Sequence, residues 1–248
     1  MMKILEDWQY ALVLLFKTIG ELRFLPRQWG RCMQHACNMG YQTLPIVGIL
    51  SLFMGGILAL QTGYSLNKVP GAQNFLGSIV GLSMCRELGP LMTAFLLTGR
   101  VGSAITAELA SMSIYQEIDA LKTMNLSPVR LLVMPRLLGG LLMMPLLTIF
   151  SNILGWVGGW IVVHSVDIIS INGSIYWRSL KQFVDIESIN DGLIKAELFA
   201  LVIIAVSCAV GLRTRGGPRE IGASVTSTIV QTMVAILTCD FFVSKWLL

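Results

Sequence analysis

Apolar positions gather into five long blocks along the chain: Leu44 to Leu66, Phe75 to Leu97, Leu137 to Val163, Leu193 to Leu212 and Val225 to Val243. Each is close to the ~20 residues a helix needs to cross the hydrocarbon core of a bilayer. The pattern predicts five transmembrane helices joined by short connections, with no room for a separate soluble domain. Ahead of the first block the periodicity changes. Leu5, Trp8, Leu12, Leu15, Ile19 and Leu22 recur at helical spacing, with Lys17 and Glu21 one turn apart on another face. This predicts an amphipathic elbow helix over Ile4 to Leu25, lying in the membrane interface. Arg27, Arg31 and His35 follow at four-residue steps, a basic stripe that suits lipid phosphates or serves simply as an elbow. The expected organisation is one all-α integral membrane domain over residues 1–248, interfacial over 1–43 and transmembrane over 44–248.

The second block continues past Arg100 as GRVGSAITAELASMS, where Gly99, Ser103, Ala107 and Ser111 stand four residues apart. Such a ladder of small residues lets another helix approach closely. Glu108 lies near it and is expected to pair with a cytoplasmic-side arginine or to serve in gating. Ser113 to Met124 is of a different kind. Ile114, Ile118 and Leu121 form one apolar face opposite Gln116, Glu117, Asp119, Lys122 and Thr123. Asn125 is a stop signal, and Ser127-Pro128 supplies an N-cap and a first-turn proline for the next helix. A short helix between spans is expected there, resting on headgroups or presented to a partner's groove. Pro135 and Pro145 are expected to kink the third span. Gly155 to Trp160 carries a G-x-x-x-G, and Trp177, Leu180 and Val184 predict a segment lying on the membrane between the third and fourth spans.

Composition sharpens this picture. Of the 248 residues 54% are hydrophobic and 13% charged, and the mean hydropathy is +0.72; soluble domains are roughly 25% charged. Lys and Arg divide unevenly between the two sides, with twelve on the side of the N-terminus and five opposite. By the positive-inside rule the N-terminus is cytoplasmic, and five crossings leave the C-terminus outside. The net charge of +4 is mostly this bias and points to a membrane surface, not to nucleic acid. No cleaved signal peptide is expected, because the Tyr10 to Phe16 run follows Glu6 and Asp7 and lacks a small-residue cleavage site. The five cysteines include no C-x-x-C and are expected to pack, and the two histidines fall on opposite sides, so no metal site is expected.

Ionisable groups within the spans are the candidates for function, because each is costly in a bilayer. Arg86 and Glu87 sit side by side in the second block, and Arg86 has no acidic residue facing it on its own helix. Its partner is expected from another segment or another copy. With Lys195 and Glu197 at the start of the fourth span and Asp240 in the fifth, these residues form a polar set in the outer half of the membrane. The set either grips a zwitterionic or anionic lipid headgroup or holds helices in register as an ion-pair network. No phosphate loop, H-E-x-x-H or G-x-S-x-G occurs, and no filter-like segment stands out. What remains is a transport or scaffold subunit that borrows its energy.

RELGPLMTAFLLTGRVGSAITAELASMSIYQEIDAL, SPVRLLVMPRLL, GLRTRGGPREIGASVT and the closing CDFF occur in an order that resembles the MlaE/YrbE permeases. These are membrane subunits of ABC-type lipid transporters that work with MCE-domain proteins. The resemblance runs from about Gly40 to near the end. It implies a homodimer in a bacterial inner membrane, or in the plastid inner envelope of a plant or alga, moving phospholipids or related lipids between membranes. It also implies a separate cytoplasmic ABC ATPase that binds the ATP, so that this chain is no enzyme and holds no cofactor. Within this frame Ser113 to Met124 is the coupling helix, with Ile114, Glu117, Ile118, Asp119 and Leu121 as its ATPase-coupling residues. Arg86, Glu87, Lys195 and Asp240 border the lipid pathway. The alternative is a non-transporting scaffold that anchors an ATPase and an MCE-domain partner.

Overall fold

A computed structural model describes residues 2–21, 25–68, 72–166 and 173–247. The fold is all-α, and among the described residues five helices are long and apolar enough to span a membrane: span 1, Gln28–Leu66; span 2, Ala72–Ile114; span 3, Val129–Ser165; span 4, Ile186–Arg213; and span 5, Pro218–Trp246. An amphipathic helix, Met2–Glu21, precedes them. The spans are longer than their apolar blocks because polar caps extend them at either end. The helix that contains span 1 runs unbroken through Leu25–Leu66 with Pro45 inside it, so the basic stripe with Arg31 and His35 continues directly into span 1 on one helix. The side chains of Leu5, Ile19 and Arg27, residues 22–24 and residues 69–71 of the first turn lie outside the described residues.

The chain folds as two compact units. The first comprises Met1–Thr43, Ala94–Met144 and Glu197–Leu248. In it Leu97, Leu109, Phe199, Ile203, Ile204 and Ile236 are fully buried. Thr106 Oγ1 donates to the Ser207 carbonyl at 3.2 Å and lies the same distance from Thr228 Oγ1, tying spans 2, 4 and 5 at one level. The stripe Thr98, Gly102, Thr106 and Ala110 makes these intrachain contacts. The expected ladder, one residue along, is more open: Gly99 is exposed and a side chain added there meets nothing, while Ser103, Ala107 and Ser111 are half-buried.

The N-terminal helix in this unit buries Ala11, Leu14 and Thr18 and leaves Leu12 and Phe16 exposed. Of its predicted apolar face, Leu12 points outward while Trp8 and Leu15 are half-buried, so the helix docks on Ala11, Leu14 and Thr18 with that face only partly open. Glu21 pairs with Arg130 at 2.8 Å instead of with Lys17. Arg213 reaches Glu6 at 2.6 Å and Asp7 at 3.0 Å. These acidic residues thus fasten the helix to the end of span 4 and the start of span 3.

The second unit comprises Leu44–Thr93 and Pro145–Ala196. Ala59, Leu76, Val80, Met84, Val163, Tyr176 and Leu180 form its core, with Trp156, Trp160, Trp177 and Val184 packed around them. The Gly173–Phe183 helix does not simply lie on a membrane surface. Tyr176, Ser179 and Leu180 are buried against the start of span 2. Ser179 Oγ accepts a hydrogen bond from the Ser78 amide at 3.1 Å, satisfying a donor near a helix start. Tyr176 Oη donates to the Trp156 carbonyl at 3.1 Å, and burial pushes the Tyr176 phenol pKa up. Glycines set the packing of spans 1 and 3: a Cβ on Gly55 would enter the Gly155 carbonyl, and one on Gly158 the Leu52 carbonyl. Ser51 and Ser151 hydrogen-bond between the same two spans at 2.7 Å.

Candidate functional site

Span 2 is not a uniform α-helix. It widens into π-turns at Met84–Leu88 and at Thr98–Gly102. A π-turn inserts a residue into the i→i−4 ladder and re-aims the side chains around it, and such turns are frequent at functional sites. The first carries Arg86 and Glu87, and the second carries Arg100. Gly89 follows the first turn, with the Asn152 side chain occupying the place where a Cβ would stand.

The start of span 4 lies along this first π-turn. Ser188, Asp191, Gly192 and Lys195 share one helical face at steps of three and four. Gly192 packs directly on the Cys85 carbonyl, so the two backbones touch where any side chain would hold them apart. Close approach places the polar residues of that face opposite Arg86 and Glu87. Arg86 Nε donates to Ser188 Oγ at 3.2 Å and lies 4.0 Å from Asp191 Oδ2. Lys195 Nζ meets Glu87 Oε1 at 2.6 Å.

Burial divides these charges into two kinds. Lys195 is 2% exposed, whereas the side chains of Arg86 and Glu87 retain 45% and 47%. A buried ammonium is costly to desolvate unless held against an anion, and Glu87 fills that role. Arg86 and Glu87 keep open faces, one rich in N–H donors and one in acceptor oxygens. Together they match the two ends of a zwitterionic headgroup, or through Arg86 alone the phosphate of an anionic one. No group of three or more His, Cys, Asp or Glu that could hold a metal occurs among the described residues.

The second unit thus brings together three of the four predicted lipid-pathway residues, Arg86, Glu87 and Lys195. Asp240 belongs to the first unit, on span 5, as does Glu197 on span 4. Sequence reasoning placed the partner of Arg86 on another segment without finding Ser188 or Asp191. The signal was there in the polar residues at 188, 191 and 195, but it lay ahead of the apolar block and read as an outer connection.

The short helix between spans 2 and 3 is Glu117–Thr123. Ile114 is the last residue of span 2, and Gln116, at φ 60°, turns the chain sharply between them. Asn125 takes φ 57°, and the Leu126 amide donates to the Leu121 carbonyl at 3.0 Å, the closing bond of a Schellman cap. Ser127 Oγ caps the following helix by accepting from the Arg130 amide at 3.4 Å. Both expected boundary signals therefore act as read.

The face assignment of this helix differs from expectation. Ile118 is 6% exposed and packs within its own chain, while Tyr115 and Met124 are 64% and 68% exposed. Leu121 is half-buried, and Glu117 and Asp119 are exposed. Lys122 donates to Asp119 at 2.8 Å and holds the Asp119 carboxyl below its usual pKa. Ile118→Ala should accordingly act on stability first, costing about 2 to 4 kcal/mol as other buried Ile truncations do. A thermal melt of the purified variant in detergent checks this; an unshifted midpoint would refute the packing role.

Comparison with known proteins decides the family. The model of the permease MlaE family matches residues 32–246. The chain belongs to the MlaE permease family. Its similarity extends to a Rickettsia typhi protein described as a probable ABC transporter permease, 32% identical over 234 residues, covering 94% of this chain and 88% of that one. A probable ABC transporter permease of Synechocystis is 32% identical across 98% of this chain and 93% of its own length. The intermembrane phospholipid transport system permease protein MlaE of Haemophilus influenzae is 33% identical over 207 residues, or 83% of this chain and 78% of that protein. As an MlaE-family permease, the chain is a multi-pass membrane protein.

Proposed function

We propose that this MlaE-family chain is the membrane subunit of an ATP-driven transporter that moves phospholipids between membranes of a cell envelope. The observation that carries the reading is the Arg86, Glu87 and Lys195 cluster, set on a π-turn of a membrane span in a relative of the Haemophilus phospholipid transport permease. Arg86 and Glu87 engage the headgroup, and Lys195 fixes the Glu87 carboxylate from behind. Because the cluster sits on a π-turn, a change of one residue in the local hydrogen-bond register re-aims both charges. That gives lipid capture and release a small structural step to act through. Asp240 is a further polar residue of the pathway.

The chain works as a homodimer in an inner membrane, with its N-terminus cytoplasmic and its C-terminus outside. ATP is bound and hydrolysed by a separate cytoplasmic ATPase, and an MCE-domain protein receives or delivers the lipid on the outer side. Since Ile118 faces its own chain, the ATPase contact falls on the exposed side of the short helix, at Tyr115, Glu117, Asp119 and Met124.

The test is reconstitution of the complete complex in vesicles, with labelled phospholipid transfer followed on addition of ATP. Arg86→Ala is expected to cut transfer at least tenfold while ATPase association persists, in line with loss of one charge-assisted contact. Undiminished transfer by the well-folded variant would refute the headgroup role.

A further inference from the structure

The first unit holds a second groove with basic chemistry, built around Arg100, fourteen residues after Arg86 on span 2. Its volume is about 420 Å³, and its walls come from spans 1, 2 and 3. Arg100 stands on the second π-turn of span 2. Its Nη1 donates to Thr43 Oγ1 at 2.7 Å and its Nη2 to Gln42 Oε1. A guanidinium carries five N–H groups in a rigid fork, so two bonds to span 1 fix the fork beside the groove and leave three N–H groups not used by them.

Opposite it, Arg136 is 2% exposed and bonds Glu108 at 2.8 Å and the Leu132 carbonyl at 3.1 Å. The neighbouring Gly139 would place a Cβ 3.2 Å from His35 Cβ and 3.0 Å from the Ala36 amide, so spans 1 and 3 meet closely beside His35. Glu108, also in the lining, neutralises Arg136, and Arg100 leaves the groove one positive charge in excess with His35 neutral. His35 and Asn38 extend the polar rim, while Met39, Val101 and Ile105 make an apolar floor.

We infer that this groove binds the phosphate of a membrane phospholipid, held by Arg100 with Gln42 and Asn38, with the upper part of an acyl chain on the apolar floor. A free phosphate would be served by the rim alone. The apolar floor of Met39, Val101 and Ile105 favours a lipid, and a planar guanidinium fork suits a phosphate better than a point charge does. This site is additional to the one at Arg86, and its case does not depend on transport by that site. Its role is a bound lipid that bridges spans 1 and 2 at the second π-turn of span 2.

The experiment is native mass spectrometry of the detergent-purified protein, and of the same sample titrated with phosphatidylglycerol, diacylglycerol or inorganic phosphate. Phosphatidylglycerol should be retained about tenfold more strongly than diacylglycerol, as expected for one charge-assisted contact. Arg100→Gln should lose that preference. Asn38→Asp, an isosteric change on an exposed rim position, should weaken it without touching the packing, so a folding defect in Arg100→Gln leaves the test intact. Because Arg86 has its own proposed headgroup contact, the groove variants are read in an Arg86→Gln background, where the preference should persist and the added Arg100→Gln should abolish it. Equal retention in both groove variants and the wild type would overturn the inference. So would displacement of the lipid by equimolar inorganic phosphate. Loss of all lipid in Arg86→Gln alone would place it at the other cluster, overturning this site while leaving the proposed transport function standing.

Discussion

Glu87→Leu is expected to destabilise the protein far more than Lys195→Met, although the two residues form one ion pair. The asymmetry follows from burial. Lys195 is 2% exposed, so removing Glu87 takes away the carboxylate against which a desolvated ammonium is held at 2.6 Å. Breaking a buried pair in this way costs about 3 kcal/mol, the low end of the usual range, because one partner is half-open. Removing Lys195 instead leaves a carboxylate whose side chain is still 47% exposed, at a cost below about 1 kcal/mol. The double variant Glu87→Leu/Lys195→Met should melt within a few degrees of the wild type, since an apolar pair of similar volume replaces the buried charge pair without loss. Transfer of phospholipid separates the two roles of these charges. If they serve the headgroup, the double variant is stable and inactive; a stable and fully active double variant would show that they only hold spans 2 and 4 in register. Equal melting of the two single variants would refute the burial argument itself.

Gly55→Val should be more damaging still. The Cβ of any residue at 55 would enter the Gly155 carbonyl, a backbone atom that no rotamer change can move. Spans 1 and 3 must separate to admit it, which also strains the Ser51–Ser151 hydrogen bond and the seat of Gly158 on the Leu52 carbonyl. Overpacking costs about 1 to 3 kcal/mol where side chains yield, and here the contact is backbone to backbone, so about 3 kcal/mol or more is expected. Gly99→Val serves as the control, because a side chain there meets nothing within the chain. Melting curves of the two variants in the same detergent give the comparison. A wild-type midpoint for Gly55→Val would show that spans 1 and 3 do not pack as described.

Several particulars show where sequence reading carries and where it stops. The capping signals around the short helix were legible because they are local. Asn125 tolerates a left-handed backbone and Ser127 has a hydroxyl within reach of an amide three residues on, whatever packs nearby. The pairing of Glu108 with an arginine was equally accessible, since a carboxylate within a span has few alternatives. Of the apolar face read for the short helix, Ile118 and Leu121 belong to it while Ile114 belongs to span 2, and periodicity states only that one side is apolar. Whether Ile118 meets a partner or its own chain is a question of what lies opposite, and the structure buries it. The same holds for the small residues of span 2. Two adjacent stripes both qualify by spacing, and the one containing Gly102 and Thr106 is packed within the chain while the one containing Gly99 is only half-buried beyond an exposed Gly99.

The sequence by itself determined the all-α class, the five spans, the cap positions and the fact that Arg86, Glu87 and Lys195 needed polar company. Each of these follows from composition, from a period of 3.6 residues or from the cost of a charge in hydrocarbon, and all are properties of one segment at a time. Tertiary structure alone decided that Glu87 belongs to Lys195 and Arg86 to Ser188 and Asp191, and that span 2 widens into π-turns at both of its arginines. These depend on the close approach of two backbones at Gly192 and Cys85 and on an extra residue in a helical turn. Neither leaves a mark in hydrophobic periodicity, because both are set by the shape of the neighbouring helix.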